Sequence, residues 1–379
     1  MARIELKGLS HSYQRRPREP ADYALQPLEL EWKEGGAYAL LGPSGCGKTT
    51  LLNIISGLIR PSKGRVFFDG RDVTDLSPQR RNIAQVFQFP VVYDTMTVAE
   101  NLAFPLKNRG LPAEAIRRRV GKVAEMLELS GELDRRASGL TADAKQKISL
   151  GRGLVREDVA AVLFDEPLTV IDPHLKWQLR RKLKQIHHEL KLTLVYVTHD
   201  QVEALTFADE VMVMSDGRVV QAGSAEELFE SPSHVFVGHF IGSPGMNFLP
   251  VSMAAGAPLI AGQPLSGAAT DQVARWLSAQ QATVPGAQLL LGIRPEYVTI
   301  AAEGDAGTVD AQVERIQDLG TSFLITARVG SASVKVRAPV QTDFQASLAT
   351  AGPIAAGRGL RLSLINSHSR FYRNQELIT

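Results

Sequence analysis

The stretch Tyr38-Ala39-Leu40-Leu41-Gly42-Pro43-Ser44-Gly45-Cys46-Gly47-Lys48-Thr49 joins a short apolar run to a glycine-rich turn, and the helix-compatible run Thr50 to Leu58 follows it. Strand, loop and helix in that order, with the spacing G-x-x-x-x-G-K-T, make a phosphate cradle. Its glycines let backbone N–H groups curl round phosphate oxygens, and the helix N-terminus adds the positive end of its dipole. Lys48 is placed to reach the β- and γ-phosphates and Thr49 to ligand Mg²⁺. Gly42, Pro43, Ser44, Gly45, Cys46, Gly47, Lys48, Thr49 and Thr50 therefore form the candidate nucleotide-binding set.

Two further apolar runs lie downstream. Ala160-Ala161-Val162-Leu163-Phe164 ends in Asp165-Glu166, which puts two carboxylates at the C-terminal end of a buried strand, where α/β folds place their ligand sites. Asp165 is expected to hold Mg²⁺ and Glu166 to polarise the attacking water, because phosphoryl transfer depends on positioning and charge neutralisation. The third run, Leu192 to Val197, leads into Thr198-His199-Asp200. His199 is expected to bond the γ-phosphate and hold Glu166 and water in register; the alternative is a structural hydrogen-bonder.

Runs apolar on both faces, alternating with amphipathic stretches, predict an α/β domain with a largely parallel sheet. Leu175, Leu179, Leu183, Ile186 and Leu190 recur at helical spacing, and His187-His188 are expected on the polar side, at the surface. Met96 to Leu154 reads as helix-rich, with Arg117-Arg118-Arg119 and Arg135-Arg136 mostly on solvated faces. Turn formers cluster at Ser231-Pro232 and Gly242 to Gly245. Beyond them short strands dominate, at Leu289 to Ile293, Val309 to Ile316, Ser322 to Val329, Ser333 to Val336 and Leu360 to Ile365. They predict a small all-β barrel or sandwich, with Ala254 to Ala269 a loop or weak helix.

The 379 residues exceed one typical domain. Lys+Arg 42 against Asp+Glu 40 leaves a charge of +2, which removes the strongest argument for a dedicated nucleic-acid binder. A single Cys excludes an internal disulfide and a cysteine-rich zinc site. No stretch approaches the ~18 to 20 apolar residues of a membrane span, and the N-terminus has no apolar signal core. If the chain acts in transport, other chains are expected to provide the pore.

The ordered set GPSGCGKT, VFQ (86–88), LFDEP (163–167), Asp172 and VTHD (197–200) resembles the nucleotide-binding subunit of an ABC transporter. With FIGSPGMNFLP (240–250) and GIRPEYV (292–298), the chain is similar over nearly its whole length to the ATPases of carbohydrate-uptake importers, such as the maltose and glycerol-phosphate systems. The resemblance implies a P-loop NTPase domain over 1–236, with a RecA-like core and a helical subdomain at about 90–155. A β-rich, OB-type (TOBE-like) regulatory domain over 237–379 would follow. It implies ATP and Mg²⁺ as cofactors and ATP hydrolysis as the activity. Two ATPase subunits would close beneath two integral-membrane permease subunits at the cytoplasmic face of the inner membrane. A periplasmic or extracellular solute-binding protein would act indirectly, and no nucleic acid is involved.

By the same resemblance, Gln88 senses Mg²⁺ and water and couples to the permease. Phe89 and Tyr93 line the groove for a permease helix, ordinary interdomain packing being the alternative. Tyr13 matches the aromatic that stacks on adenine, with Tyr23 a rival because Arg15 to Ala21 is longer than usual. Asp172 keeps the polar link between sites, and Thr169 and Ile171 stand as conservative replacements beside it. The family's Leu-Ser-Gly-Gly-Gln signature falls at Leu140-Thr141-Ala142-Asp143-Ala144, so the hydroxyl survives as Thr141 while both glycines and the glutamine are lost. Ala142 and Asp143 add Cβ atoms where the loop should approach a γ-phosphate, and Asp143 adds an anion. Like charges ~4 Å apart at an effective dielectric of ~20 repel by at most ~4 kcal/mol; alternatively Asp143 turns away as a helix N-terminal residue. These departures point to a heterodimer with a second ATPase that has an intact signature. The expected cargo is a small carbohydrate or polyol, glycerol-like first. An inorganic anion, a non-transport ATPase and a non-catalytic nucleotide-binding regulatory subunit are the alternatives. The intact Glu166 opposes the last of these.

Overall fold

The computed structural model describes residues 1–267, 269–283, 286–301, 307–340 and 357–378. The chain divides into two compact units, Met1–Ala225 and Glu226–Thr379.

The first unit opens with β1 (Ile4–His11), β2 (Leu25–Trp32) and β3 (Ala37–Leu41), and the glycine loop leads from β3 into α1 (Lys48–Ser56). Then come β4 (Lys63–Phe68), β5 (Arg71–Asp72), the single turn α2 (Pro78–Arg81) and β6 (Ala84–Val86). Three helices follow: α3 (Val98–Lys107), α4 (Ala113–Met126) and α5 (Ala142–Leu154). The chain returns through β7 (Val162–Asp165), α6 (Pro173–Leu190), β8 (Leu194–Thr198), α7 (Gln201–Phe207), β9 (Glu210–Ser215) and β10 (Arg218–Gly223).

One sheet has the order β10-β9-β3-β8-β7-β6. All its neighbours pair in parallel except β10, which is antiparallel to β9 at the edge. Every residue of β3 and β8 is buried, as expected of strands covered on both faces. Parallel strands share a direction, so the segments leaving β3, β8, β7 and β6 emerge at one edge. A second, antiparallel sheet, β2-β1-β4-β5, closes over α1, and Ile4, Trp32, Leu51, Ile54, Leu163 and Val195 belong to the common core.

Among the helices, Thr97 and Glu100 form a reciprocal capping box at the start of α3. A Cβ at Gly151 of α5 would lie 2.5 Å from Leu102 Cδ2, so glycine permits the close approach of α5 to α3. One surface expectation is corrected, and one exception appears within the arginine runs, whose other four members are exposed. His187 is buried, with Nδ1 2.9 Å from the carbonyl of Leu192, because the helix must bind the chain where it reverses into β8; His188 beside it is exposed. Arg119 is also buried, and its guanidinium donates to the carbonyls of Leu154 and Val155.

In the second unit, α9 (Val235–Phe240) follows α8 (Ala225–Glu230), which begins at the boundary. One antiparallel sheet combines β11 (Asn247–Ala254), β12 (Ala257–Ile260), β13 (Gln263–Pro264), β14 (Leu289–Ile293), β20 (Arg370–Arg373) and β21 (Glu376–Leu377). The other combines β15 (Thr299–Ile300), β16 (Thr308–Asp318), β17 (Ser322–Val329), β18 (Ala332–Pro339) and β19 (Gly359–Ser363). Leu249, Leu291, Val313, Ile325 and Leu362 lie in the core between them. The segment expected as a loop or weak helix is instead two hairpins. Ala255-Gly256 and Ala261-Gly262 are two-residue turns, each with positive φ at both positions, which suits the right-handed twist of the strands they join. An unexpected helix, α10 (Thr270–Thr283), buries Val273 and Leu277.

Candidate active site

Gly45 (φ 82°) and Gly47 (φ 103°) take the left-handed conformation, and Gly47 is also the N-cap of α1. A Cβ on Gly42 would fall 2.3 Å from the Met214 carbonyl oxygen, so backbone proximity as well as curvature requires glycine there. Pro43, Ser44 and Gly45 are exposed, whereas Lys48 is buried and its Nζ donates to the carbonyls of Gly42 (2.8 Å) and Pro43 (2.9 Å). Cys46 packs beneath the loop with Sγ 3.9 Å from Lys48 Nζ, and burial pushes its thiol pKa up.

The end of β7 stands opposite. Thr49 Oγ1 donates to Asp165 Oδ1 at 3.3 Å, joining the first helix residues to the strand two places away in the sheet. Burial lifts the Asp165 pKa; Glu166 adds to the rise, while the Thr49 bond and Lys48 oppose it. Glu166 itself sits at φ 47°, its N–H bonded to Val197 O on β8 (2.9 Å). Its Oε2 is 3.0 Å from Nδ1 of His199, which follows β8. With Nδ1–H donated to Glu166, Nε2 is an acceptor in the neutral ring and a donor only in the imidazolium.

Gln88, two residues past β6, is half-buried at the same edge of the sheet. Around it Phe87, Phe89 and Val91 are exposed, Phe89 at 68%. Tyr93 is also exposed (41%), its ring lying 4.7 Å from Phe104 with the Arg152 guanidinium 4.7 Å above it. Tyr13, just past β1, is 66% exposed, and its hydroxyl meets Thr50 Oγ1 at 3.2 Å on the first turn of α1. Tyr23 is half-buried.

Thr141 caps α5, its Oγ1 accepting from Ala144 N at 3.3 Å. Asp143 in the first turn lies 3.9 Å from Lys147 one turn along, and its Oδ1 is buried. The carboxylate is thus turned back along its own helix, which favours the helix-terminal alternative over an anion aimed outward. Asp172 caps α6 through His174 N (2.9 Å). Two residues gain a place that their sequence context did not suggest. Thr169, read only as a conservative replacement, donates its hydroxyl to Glu166 Oε2 at 3.3 Å. Gln146, fully buried on α5, donates to Pro167 O at 2.6 Å. For the first, E-P-x-T signals a turn but not the bond; for the second, a glutamine inside an amphipathic helix offers no signal.

Among the described residues no helix is long and apolar enough to cross a membrane. The ABC transporter family model matches residues 25–169, the MalK OB fold domain model 242–298 and the TOBE domain model 291–362. The sn-glycerol-3-phosphate import ATP-binding protein UgpC of Chromohalobacter salexigens is 40% identical over 367 residues, covering 96% of this chain and 92% of that protein. The protein of the same name from Escherichia coli O1:K1 is 39% identical over 337 residues, 89% of this chain and 91% of its own. The dimeric ATP-binding cassette MJ0796, in a post-hydrolysis state with ADP and Pi, superposes with a TM-score of 0.52 at 29% identity, covering 59% of this chain and 98% of that one. The structure of cbiO1 from Clostridium perfringens gives 0.55 at 27% identity, over 60% and 90% of the two chains. A glycine loop facing two carboxylates across a parallel sheet, a β-rich second unit and identity along nearly the whole chain agree: the chain belongs to the ATP-binding subunits of ABC importers and is an ATP hydrolase.

Proposed function

We propose that this chain holds ATP between its own glycine loop and the signature loop of a second ATP-binding subunit, with Glu166 activating the attacking water. The observation that carries the reading is the meeting of Thr49, Asp165, Glu166 and His199 at the ends of adjacent parallel strands. One hydroxyl and one carboxylate suit Mg²⁺, which takes few protein ligands and fills its shell with water and phosphate oxygens. Bound there, it supplies charge neutralisation at the phosphates. Lys48 exchanges its two carbonyl partners for phosphate oxygens, and the exposed Tyr13 ring stacks on adenine. Gln88 orients water at the rim, and His199 holds one carboxylate oxygen of Glu166 so that the other faces the nucleophile. Asp172 and Thr141 face the partner subunit. Glu166→Gln is expected to cut turnover by roughly 10²–10⁴-fold while retaining ATP. Turnover at the wild-type rate overturns the assignment.

Residues 1–236 act as the ATPase domain in this reading, with 90–155 as its helical subdomain and 237–379 as a regulatory domain. The chain sits on the cytoplasmic face of the membrane, bound to two permease subunits through Phe87, Phe89 and Val91. Loss of both signature glycines supports a related but distinct ATPase as the second subunit, since Ala142 and Asp143 hold the partner's ATP less closely. A solute-binding protein delivers the cargo. The relatives' names support a small polyol or its phosphate, glycerol or glycerol 3-phosphate, as that cargo. Purification of the Glu166→Gln chain from detergent extract with ATP should bring down integral-membrane subunits and a second ATPase. A strain lacking the gene should lose uptake of labelled glycerol or glycerol 3-phosphate; normal uptake of both overturns the cargo assignment.

A further inference from the structure

The segment after Glu166 is a tight turn. Pro167 fixes its second residue, Thr169 N–H closes it on the Glu166 carbonyl at 3.2 Å, and the Thr169 hydroxyl comes back to Glu166 Oε2 at 3.3 Å. His199 Nδ1 reaches that same oxygen, so two donors from different strand ends converge on one carboxylate oxygen. Glu166 needs such holding, because its backbone occupies a left-handed conformation that a non-glycine residue seldom adopts. The turn is itself anchored by the buried Gln146, which donates to Pro167 O. Resting on the reading of Glu166 as the base, we infer that Thr169 is a positioning residue for hydrolysis: with His199, its hydroxyl pins Oε2 and leaves Oε1 free to take the proton of water. The side chain suits the task. Its β-branch limits χ1 to few rotamers, and the closed turn selects the one that aims the hydroxyl at Oε2. Thr169 is exposed, and its replacement leaves the core unchanged.

The test uses the full chain in its complex with the co-purifying subunits, measuring steady-state ATPase and, separately, binding of a fluorescent ATP analogue. Thr169→Val keeps the shape and removes the donor; it is expected to lower kcat roughly tenfold, with KM and analogue affinity within about twofold of wild type. Thr169→Ser restores the donor and is expected to recover most of the loss. Wild-type kcat in Thr169→Val, or equal loss in the valine and serine variants, overturns the inference. Glu166→Gln is assayed beside them. If it is inactive while Thr169→Val is fully active, only the role of Thr169 fails; if Glu166→Gln turns over normally, the reading of Glu166 fails first.

Discussion

Cys46 and Asp165 show how single residues of a phosphate site carry charge-state costs. Cys46 is buried in the glycine loop, and the desolvation that raises its pKa outweighs the pull of Lys48 toward thiolate. Only the thiolate reacts, so labelling by a maleimide should be slow at pH 7, should accelerate as pH rises, and should be suppressed by saturating ATP. Rapid labelling at pH 7, as of an exposed thiol, would contradict this. For Asp165 the folded pKa lies above the unfolded value. Its contribution therefore favours the fold fully below the unfolded pKa and is lost as pH rises through the folded pKa, so at neutral pH the ionised group opposes the nucleotide-free fold. Asp165→Asn is expected to raise the melting temperature of the nucleotide-free chain at pH 7 while removing Mg²⁺-dependent hydrolysis; a lowered melting temperature would refute this. The residue identities of the loop and of Asp165, Glu166 and His199 are legible in the sequence because strand ends followed by polar residues give them away. The Thr169 bond is not, since a hydroxyl three positions from a carboxylate has many possible rotamers until the turn is closed.

At the scale of elements, the parallel strands could be read from unbroken apolar runs, whereas hairpin turns built on Ala-Gly could not. Alanine at positive φ goes against its preference; pairing of the flanking strands holds Ala255 and Ala261 there, and Ala261 is held further by its N–H to Pro250 O (2.8 Å) and its carbonyl to Ser331 N (3.1 Å). The burial of His187 escapes the sequence for a related reason: periodicity fixes the face of a helix, and the carbonyl beyond its end decides what that face must satisfy. Arg294 is the clearest case in the second unit. Its motif, GIRPEYV, is visible in the sequence, yet the side chain is a core residue, 1% exposed. It stacks 3.7 Å from the Phe229 ring centroid and donates to the carbonyls of Phe229 (2.6 Å), Ile241 (2.5 Å) and Leu228 (3.4 Å). Arg294→Leu strands those acceptors, each buried unsatisfied group costing about 1–3 kcal/mol, so the second unit should lose about 3 kcal/mol or more. Urea unfolding followed by near-ultraviolet circular dichroism measures this; an unchanged midpoint would show that water satisfies the carbonyls.

At the scale of the whole molecule, the proposed hydrolytic set of Lys48, Glu166 and His199 is combined with a proposed signature loop, Leu140 to Ala144, that holds no glycine. In the mixed dimer proposed above the two sites should differ. Glu166→Gln in this chain is expected to remove most of the complex's ATPase activity, and the equivalent change in the second subunit only a small part. Equal losses from the two changes, or a homodimer with two equivalent active sites, would overturn the asymmetry. The Gln146 bond to Pro167 O keeps these two properties apart along one helix. Gln146 lies on α5 about one helical turn past Ala142 and Asp143, so the loop that faces outward and the anchor that faces inward occupy separate stretches of the same helix. A substitution at Ala142 or Asp143 therefore alters the outward loop without touching the anchor of the turn beside Glu166. The helix insulates the chain's own hydrolytic turn from change at the end it turns toward a neighbour.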